Sequence, residues 1–247
     1  MPNYKLTLCY DGTRWRGWQK QGNTAATLQE KLETTLSRLL GEPVEVAGCG
    51  RTDAGVHARK QVCSFRTQKP LSCADTLRSL RELLPEDIGA LSLEEAPPRF
   101  HARLSCRGKT YCYRIRAVDE PEVFTRRYVL PFPGALDLPA MREAAALLCG
   151  KHDFSAFCSL KNSRKSTVRE LRSIEITETE GELRLFFTGD GFLYNMVRIL
   201  TGTLLEVGLG QRRAEDMSAI LASRDRTLAG PTAPARGLTL WDVGYGE

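Results

Sequence analysis

The sequence predicts an α+β fold of two similar lobes, with mixed, mainly antiparallel sheets flanked by helices. Three observations predict it. Segments of period-2 alternation and segments with a helical apolar stripe are interspersed along the whole chain. One pair of alternating segments flanks a turn sequence and reads as a β-hairpin. The length of 247 residues is long for one small domain and short for three, which leaves one large unit or two half-size lobes; the lobes are expected at 1–105 and 106–247.

In the first lobe, Leu6 and Leu8 alternate with polar neighbours and predict a strand over Lys5–Tyr10. Thr27 and Glu30 form a T-x-x-E capping box, in which the threonine oxygen satisfies a free N–H of the first helical turn. Leu28, Leu32, Leu36, Leu39 and Leu40 continue from it as one apolar stripe, and Gly41 is the stop. Val44–Ala47 reads as a strand running into the loop Gly48–Asp53. Gln61–Thr67 is a further strand. Leu77, Leu80, Leu83 and Leu84 mark a helix closed by Pro85, and Ile88–Leu93 is a strand.

In the second lobe, Thr110–Val118 alternates as a strand. Leu138–Leu148 is a helix with Gly150 just past its end. Ile174–Ile176 and Leu183–Leu185 flank Glu180-Gly181 as the hairpin. Met196–Val207 and Ala214–Ala222 are helices, and Leu238–Val243 is the last strand.

The 35 basic residues exceed the 30 acidic ones, for a net charge of +5. That balance hints at a polyanionic partner, although many proteins without one share it. The eight cysteines contain no C-x-x-C pair and sit mostly in apolar runs, where a thiol packs as a small hydrophobe. His57, His101 and His152 lie at no ligand spacing with each other or with cysteines, so no metal is expected. The N-terminus has no cationic-then-apolar leader pattern, and no apolar run approaches membrane-spanning length. A cytoplasmic chain with reduced thiols is the expectation.

Four segments carry candidate chemistry. In Gly48–Ala58, three glycines flank Arg51 and Asp53. Glycines allow close approach of a ligand, and an aspartate beside a cation stays ionised and reactive. A Gly-rich turn with Asp53 as a local acceptor is the alternative. From Arg99 to Arg116 there are six Arg and Lys residues, Arg103, Arg107 and Lys109 among them, and no acid. Phe100, Tyr111 and Tyr113 are interleaved. Cations for phosphates and aromatic faces for bases form the footprint of nucleic-acid binding; a solvated strand face is the bland alternative. Arg198 is embedded in an apolar run and needs a partner there, such as Asp53, unless it reaches solvent at the helix edge. Phe154–Arg169 carries Lys161, Arg164, Lys165 and Arg169 without an acid, and is either a basic RNA-facing loop or an exposed connection.

Together these residues resemble the TruA family of tRNA pseudouridine synthases. Gly50-Arg51-Thr52-Asp53-Ala54-Gly55-Val56-His57-Ala58 is similar to the family signature. Tyr10-Asp11-Gly12-Thr13 and Gly17-Trp18-Gln19 resemble its opening, and Phe100-His101-Ala102-Arg103 and Tyr111-x-Tyr113 its central segment. Gly150-Lys151-His152-Asp153-Phe154, Phe192-Leu193, Met196-Val197-Arg198, Gly202, Val207-Gly208 and Pro234-Ala235-x-Gly237-Leu238 follow in family order. Leu104 departs from the family's usual phenylalanine. Cys106, Gly108, Thr110 and the stretch from Gly22 to Ala26 also differ, which leaves a paralogue with altered specificity open.

The resemblance implies a pseudouridine synthase fold with the active-site cleft between the lobes. It implies isomerisation of uridine to pseudouridine in the anticodon stem-loop of tRNA, at positions 38, 39 or 40. Asp53 matches the catalytic nucleophile, adding either to C6 of the base or to C1′ of the ribose. Tyr111 matches a tyrosine that stacks on the base or helps remove the C5 proton. Arg198 matches the arginine paired with the aspartate, and Arg51 the residue filling the space of an extruded base. Exposing a stacked uracil costs a few kcal/mol, ~2–5. Arg103, Arg107, Lys109, Lys161, Arg164 and Lys165 are the expected contacts to the tRNA backbone. A homodimer, with no cofactor and no metal, is implied as well. Two other classes compete: an RNA-binding paralogue without activity, and a synthase acting on another RNA. The first would lose the acid, the tyrosine or the arginine; this chain keeps all three.

Overall fold

The computed structural model describes residues 1–117, 123–159, 166–179 and 181–246. In chain order the elements are β1 (Asn3–Tyr10), α1 (Leu28–Leu40), β2 (Ala47–Gly48), β3 (His57–Arg66), α2 (Cys73–Leu83) and β4 (Ile88–Glu95). Then come β5 (Cys106–Ala117), β6 (Leu130–Phe132), α3 (Leu138–Leu148), β7 (Gly150–Asp153), β8 (Val168–Thr179) and β9 (Glu182–Gly189). Helices α4 (Met196–Gly208) and α5 (Asp216–Ser223) and strand β10 (Leu238–Tyr245) close the order. The protein is α+β. It divides into two compact units: Met1–Arg107 with the segment from Thr239 onward, and Gly108–Leu238. The cut expected at 105/106 falls near the first boundary. The last strand, expected in the second lobe, lies with the first unit.

In the first unit the strands run β4-β1-β3-β10, with β2 on β3. Strand β1 pairs antiparallel with β3 and with β4, so that Leu6 faces Cys63 on one side and Leu93 on the other. Strand β10 pairs parallel with β3, Thr239 opposite His57. Helix α1 starts where the capping box places it: the Thr27 side chain accepts from the Glu30 N–H at 3.4 Å. It ends at Gly41, whose φ of 69° is the left-handed conformation that glycine adopts without penalty. Leu28, Leu32 and Leu36 are fully buried from its apolar face.

The strand expected over Val44–Ala47 is shorter: only Ala47–Gly48 pairs, against Ser64 and Cys63. The physical reason is local. The Val44 N–H donates to Ser37 Oγ and the Val46 N–H to Glu33 Oε1, while the Val46 carbonyl accepts from Gln29 Nε2. Side chains of α1 satisfy this backbone in place of a neighbouring strand.

In the second unit the order is β5-β9-β8-β7, all antiparallel, with β6 parallel to β5. The hairpin of β8 and β9 closes with Thr179 opposite Glu182, as its sequence predicts. Strands β6 and β7 are additions to the sequence reading; three and four residues are too few to display a period. Helix α4 is buried nearly all round. The segment Gly230–Ala233 lies tight against it: a Cβ on Gly202 would come within 1.8 Å of the Pro231 carbonyl oxygen. The Gly230 N–H donates to Thr203 Oγ1 at 2.9 Å, and the Ala233 N–H donates to the Arg198 carbonyl at 3.1 Å.

Candidate active site

The loop between β2 and β3 carries Arg51 and Asp53, and its backbone is fixed from several directions. The Trp18 N–H donates to the Thr52 carbonyl at 3.0 Å, and the Gly55 N–H to the Trp15 carbonyl at 3.3 Å. The Val56 N–H donates back to the Asp53 carbonyl at 3.1 Å, closing a turn around Gly55, whose φ is 77°. Gly12 sits so close to the loop that a Cβ there would meet the Val56 carbonyl oxygen at 2.0 Å. The glycines of the Tyr10–Thr13 and Gly17–Gln19 motifs therefore serve contact between two backbones. His57 Nδ1 accepts from the Gly12 N–H at 3.0 Å and stands 3.2 Å from Asp11 Oδ1. An unprotonated Nδ1 takes the first contact; only a protonated one takes the second.

Beneath the loop lies a buried polar network that the sequence reading did not single out. The hydroxyls of Tyr10 and Thr52 are 2.8 Å apart. Gln61, fully buried in β3, donates to the Gly50 carbonyl at 3.1 Å and accepts from the Cys49 thiol at 2.8 Å. Burial pushes the Tyr10 phenol far above its ordinary range, with the Thr52 contact opposing. The phenol is thus a neutral hydrogen-bonding strut. The available signal was a glutamine opening the strand Gln61–Thr67, directly before Val62 and Cys63. Above this network Thr52 is buried, Asp53 half-buried, and Arg51 exposed. The chain thus presents a carboxylate and a guanidinium on a braced support, the arrangement a nucleophile needs.

In the second unit, Tyr111 is buried on β5, opposite Phe187 of β9, with its ring edge-on to Phe192 at 5.2 Å between centroids. Arg198 leaves the first turn of α4 and is half-buried. Its Nε donates to the Ala233 carbonyl at 2.7 Å and its Nη1 to Asn195 Oδ1 at 2.9 Å. The partner that an arginine in an apolar run requires includes these two oxygens. Tyr113 donates its hydroxyl to the Pro234 carbonyl at 2.8 Å. Burial raises its phenol well above the ordinary range, against the pull of Arg198 and Arg236.

Of the expected RNA contacts, Arg103 and Arg107 are exposed in the first unit, and Lys109 is half-buried on β5. Lys161, Arg164 and Lys165 lie outside the described residues. Among the described residues no group of three or more His, Cys, Asp or Glu side chains is placed to hold a metal ion, and no helix is long and apolar enough to cross a membrane.

Comparison with known proteins bears on the whole chain. A family model described as tRNA pseudouridine synthase matches residues 8–105 and 144–246. A "tRNA pseudouridine synthase A 2" of Bacillus cereus is 43% identical over 245 residues, covering 99% of this chain and 100% of that protein. A "tRNA pseudouridine synthase A 1" of Clostridium tetani and a "tRNA pseudouridine synthase A" of Clostridium acetobutylicum are each 44% identical with the same coverage.

Proposed function

The chain belongs to the tRNA pseudouridine synthase family, and from that membership we propose that it isomerises uridine in the anticodon stem-loop of tRNA, at positions 38, 39 or 40. The observation that carries the reading is the braced loop: Asp53 sits half-buried in a turn whose neighbours Gly50, Thr52, Gly55 and Val56 are each held by a hydrogen bond.

In the reaction the N1–C1′ bond breaks, the uracil turns, and C5 bonds to C1′; the proton lost from C5 is balanced by one gained at N1. No electron is exchanged with a second reactant. Asp53 is the nucleophile, at C6 of the base or at C1′ of the ribose. Tyr111 is the aromatic group against the target uracil, stacking on it or assisting C5 deprotonation. Arg198 supplies the positive charge that keeps the catalytic carboxylate ionised. Arg51, exposed beside Asp53, takes the space the extruded uridine leaves. Arg103, Arg107, Lys109, Lys161, Arg164 and Lys165 hold the tRNA backbone. The enzyme acts in the cytoplasm as a homodimer and without a cofactor.

The test uses an unmodified tRNA transcript labelled with tritium at uridine C5. Wild-type protein is expected to release tritium and to leave pseudouridine in the anticodon arm. Asp53→Asn, which preserves shape, is expected to bind tRNA and fall below about 1% of wild-type turnover, since loss of a nucleophile costs roughly 10³-fold or more. Turnover by Asp53→Asn above that level would sink the assignment. Pseudouridine mapped outside the anticodon arm would redirect the substrate.

A further inference from the structure

We propose that Asn195 is a positioning residue for Arg198, its side-chain amide clasping the guanidinium on one side and Ser159 on the other; the inference rests on the catalytic role given to Arg198 above. Four observations carry it. First, Asn195 has φ 61°, and only Arg224 shares positive φ among the described non-glycine residues. Asparagine tolerates this left-handed conformation better than most side chains, but it is not a resting place for the backbone without cause.

Second, Asn195 occupies the N-cap position of α4 yet makes no side-chain cap bond. An asparagine there ordinarily turns its oxygen onto the free N–H groups of the first turn. Here the oxygen is directed elsewhere: Oδ1 accepts from Arg198 Nη1 at 2.9 Å. Third, the other half of the amide is also engaged, with Nδ2 donating to Ser159 Oγ at 3.1 Å. Fourth, the contact to Ser159 is two-stranded, because the Ser159 N–H donates to the Tyr194 carbonyl at 3.2 Å.

An arginine side chain has several rotatable bonds, and one acceptor fixes only one edge of its planar head. The Ala233 carbonyl holds Nε at 2.7 Å and Asn195 holds Nη1, so two acceptors on separate nitrogens set the plane of the guanidinium. The left-handed backbone at 195 aims the amide at both targets. Neither a glycine, which would accept the backbone angle more readily, nor an ordinary N-cap residue would do this. Position 195 is thus occupied by a residue that suits Arg198 rather than helix α4.

The experiment compares Asn195→Gly and Asn195→Asp with wild type in single-turnover assays on C5-tritiated tRNA, alongside tRNA affinity and melting temperature. Glycine keeps the left-handed backbone and deletes both amide bonds. It is expected to melt and to bind tRNA like wild type, yet to lose about 10-fold or more in the rate at saturating tRNA, the scale of a misplaced catalytic group. Aspartate keeps an acceptor for Arg198 while losing the donor to Ser159 and setting a negative charge against the guanidinium, and is expected to lose less rate than glycine. Wild-type rates from Asn195→Gly would overturn the inference. So would equal losses in both variants, because the acceptor would then be irrelevant. A glycine variant that loses rate only together with melting temperature, while aspartate restores neither, would show a role in folding alone and would overturn it as well. Turnover retained by Asp53→Asn, or none in wild type, would instead overturn the catalytic reading on which the proposal stands.

Discussion

Replacing Gly202 by alanine tests how closely the segment after α5 controls Arg198. The added methyl carbon would stand 1.8 Å from the Pro231 carbonyl oxygen, where ordinary contact begins at 3.4 Å. Backbone must therefore recede by about 1.6 Å. Two residues on, Ala233 accepts from Arg198 Nε at 2.7 Å and donates to the Arg198 carbonyl at 3.1 Å. A retreat of that size takes at least one of these bonds outside hydrogen-bonding range. Overpacking costs about 1–3 kcal/mol and a lost hydrogen bond about 1 more, while alanine's better helix propensity returns about 1. The net is about 1–3 kcal/mol, or roughly 2–12 °C in melting temperature for a chain of this size. The catalytic cost is of the same order, because a guanidinium displaced by about 1 Å loses roughly 10²-fold in rate. Thermal melting and single-turnover tritium release measure the two effects. Gly22→Ala is the control, since a Cβ there meets nothing within 4 Å. A Gly202→Ala protein that melts and turns over like the Gly22→Ala protein would refute the coupling.

Three further outcomes are expected. Tyr10→Phe leaves the buried Thr52 hydroxyl without its 2.8 Å partner; it should destabilise the fold by about 1–2 kcal/mol in urea titration and slow catalysis, and a rate equal to wild type would mean that the loop does not need this strut. Replacing Arg103, Arg107 and Lys109 together by alanine should weaken tRNA binding and flatten its salt dependence by roughly 0.7–0.9 log units per lost phosphate contact for each decade of salt; an unaltered slope would remove these residues from the RNA path. Turnover on prefolded tRNA should survive exhaustive dialysis against a chelator, and a requirement for added zinc in that assay would contradict the cofactor-free reading.

Elements whose signals are local were legible in the sequence. Helix α1 begins at Thr27 and stops at Gly41 because the cap, the stripe and the glycine all act within one turn of where they stand. The Glu180-Gly181 turn likewise announced its hairpin. Val44–Ala47 misled because its β-branched residues satisfy their backbone through Ser37, Glu33 and Gln29, partners fixed only once α1 has formed. Asp53, Tyr111 and Arg198 stood out through motif and composition, but their supports did not. Gln61 looks like one more polar residue of a strand, and Asn195 looks like a helix cap. Their roles depend on contacts with Gly50, Cys49, Arg198 and Ser159 that only the folded chain creates. Ala233 acts through its carbonyl, which a sequence does not distinguish from any other.

Strand β10 gives the first unit an unusual history of manufacture. Its pairing partner, β3, leaves the ribosome early, whereas Thr239 and Leu240 must wait for the 131 residues of the second unit to be made, Gly108–Leu238. Folding in order of synthesis, the usual habit of multi-unit chains, can finish the second unit first but not the one that begins the protein. Until then β3 keeps an open edge next to the His57–Ala58 end of the aspartate loop, the place where Thr239 and Leu240 will dock. A nascent chain of this protein thus carries Asp53 long before it completes the sheet that supports it, and the emergence of β10 is the event that finishes the unit bearing Asp53.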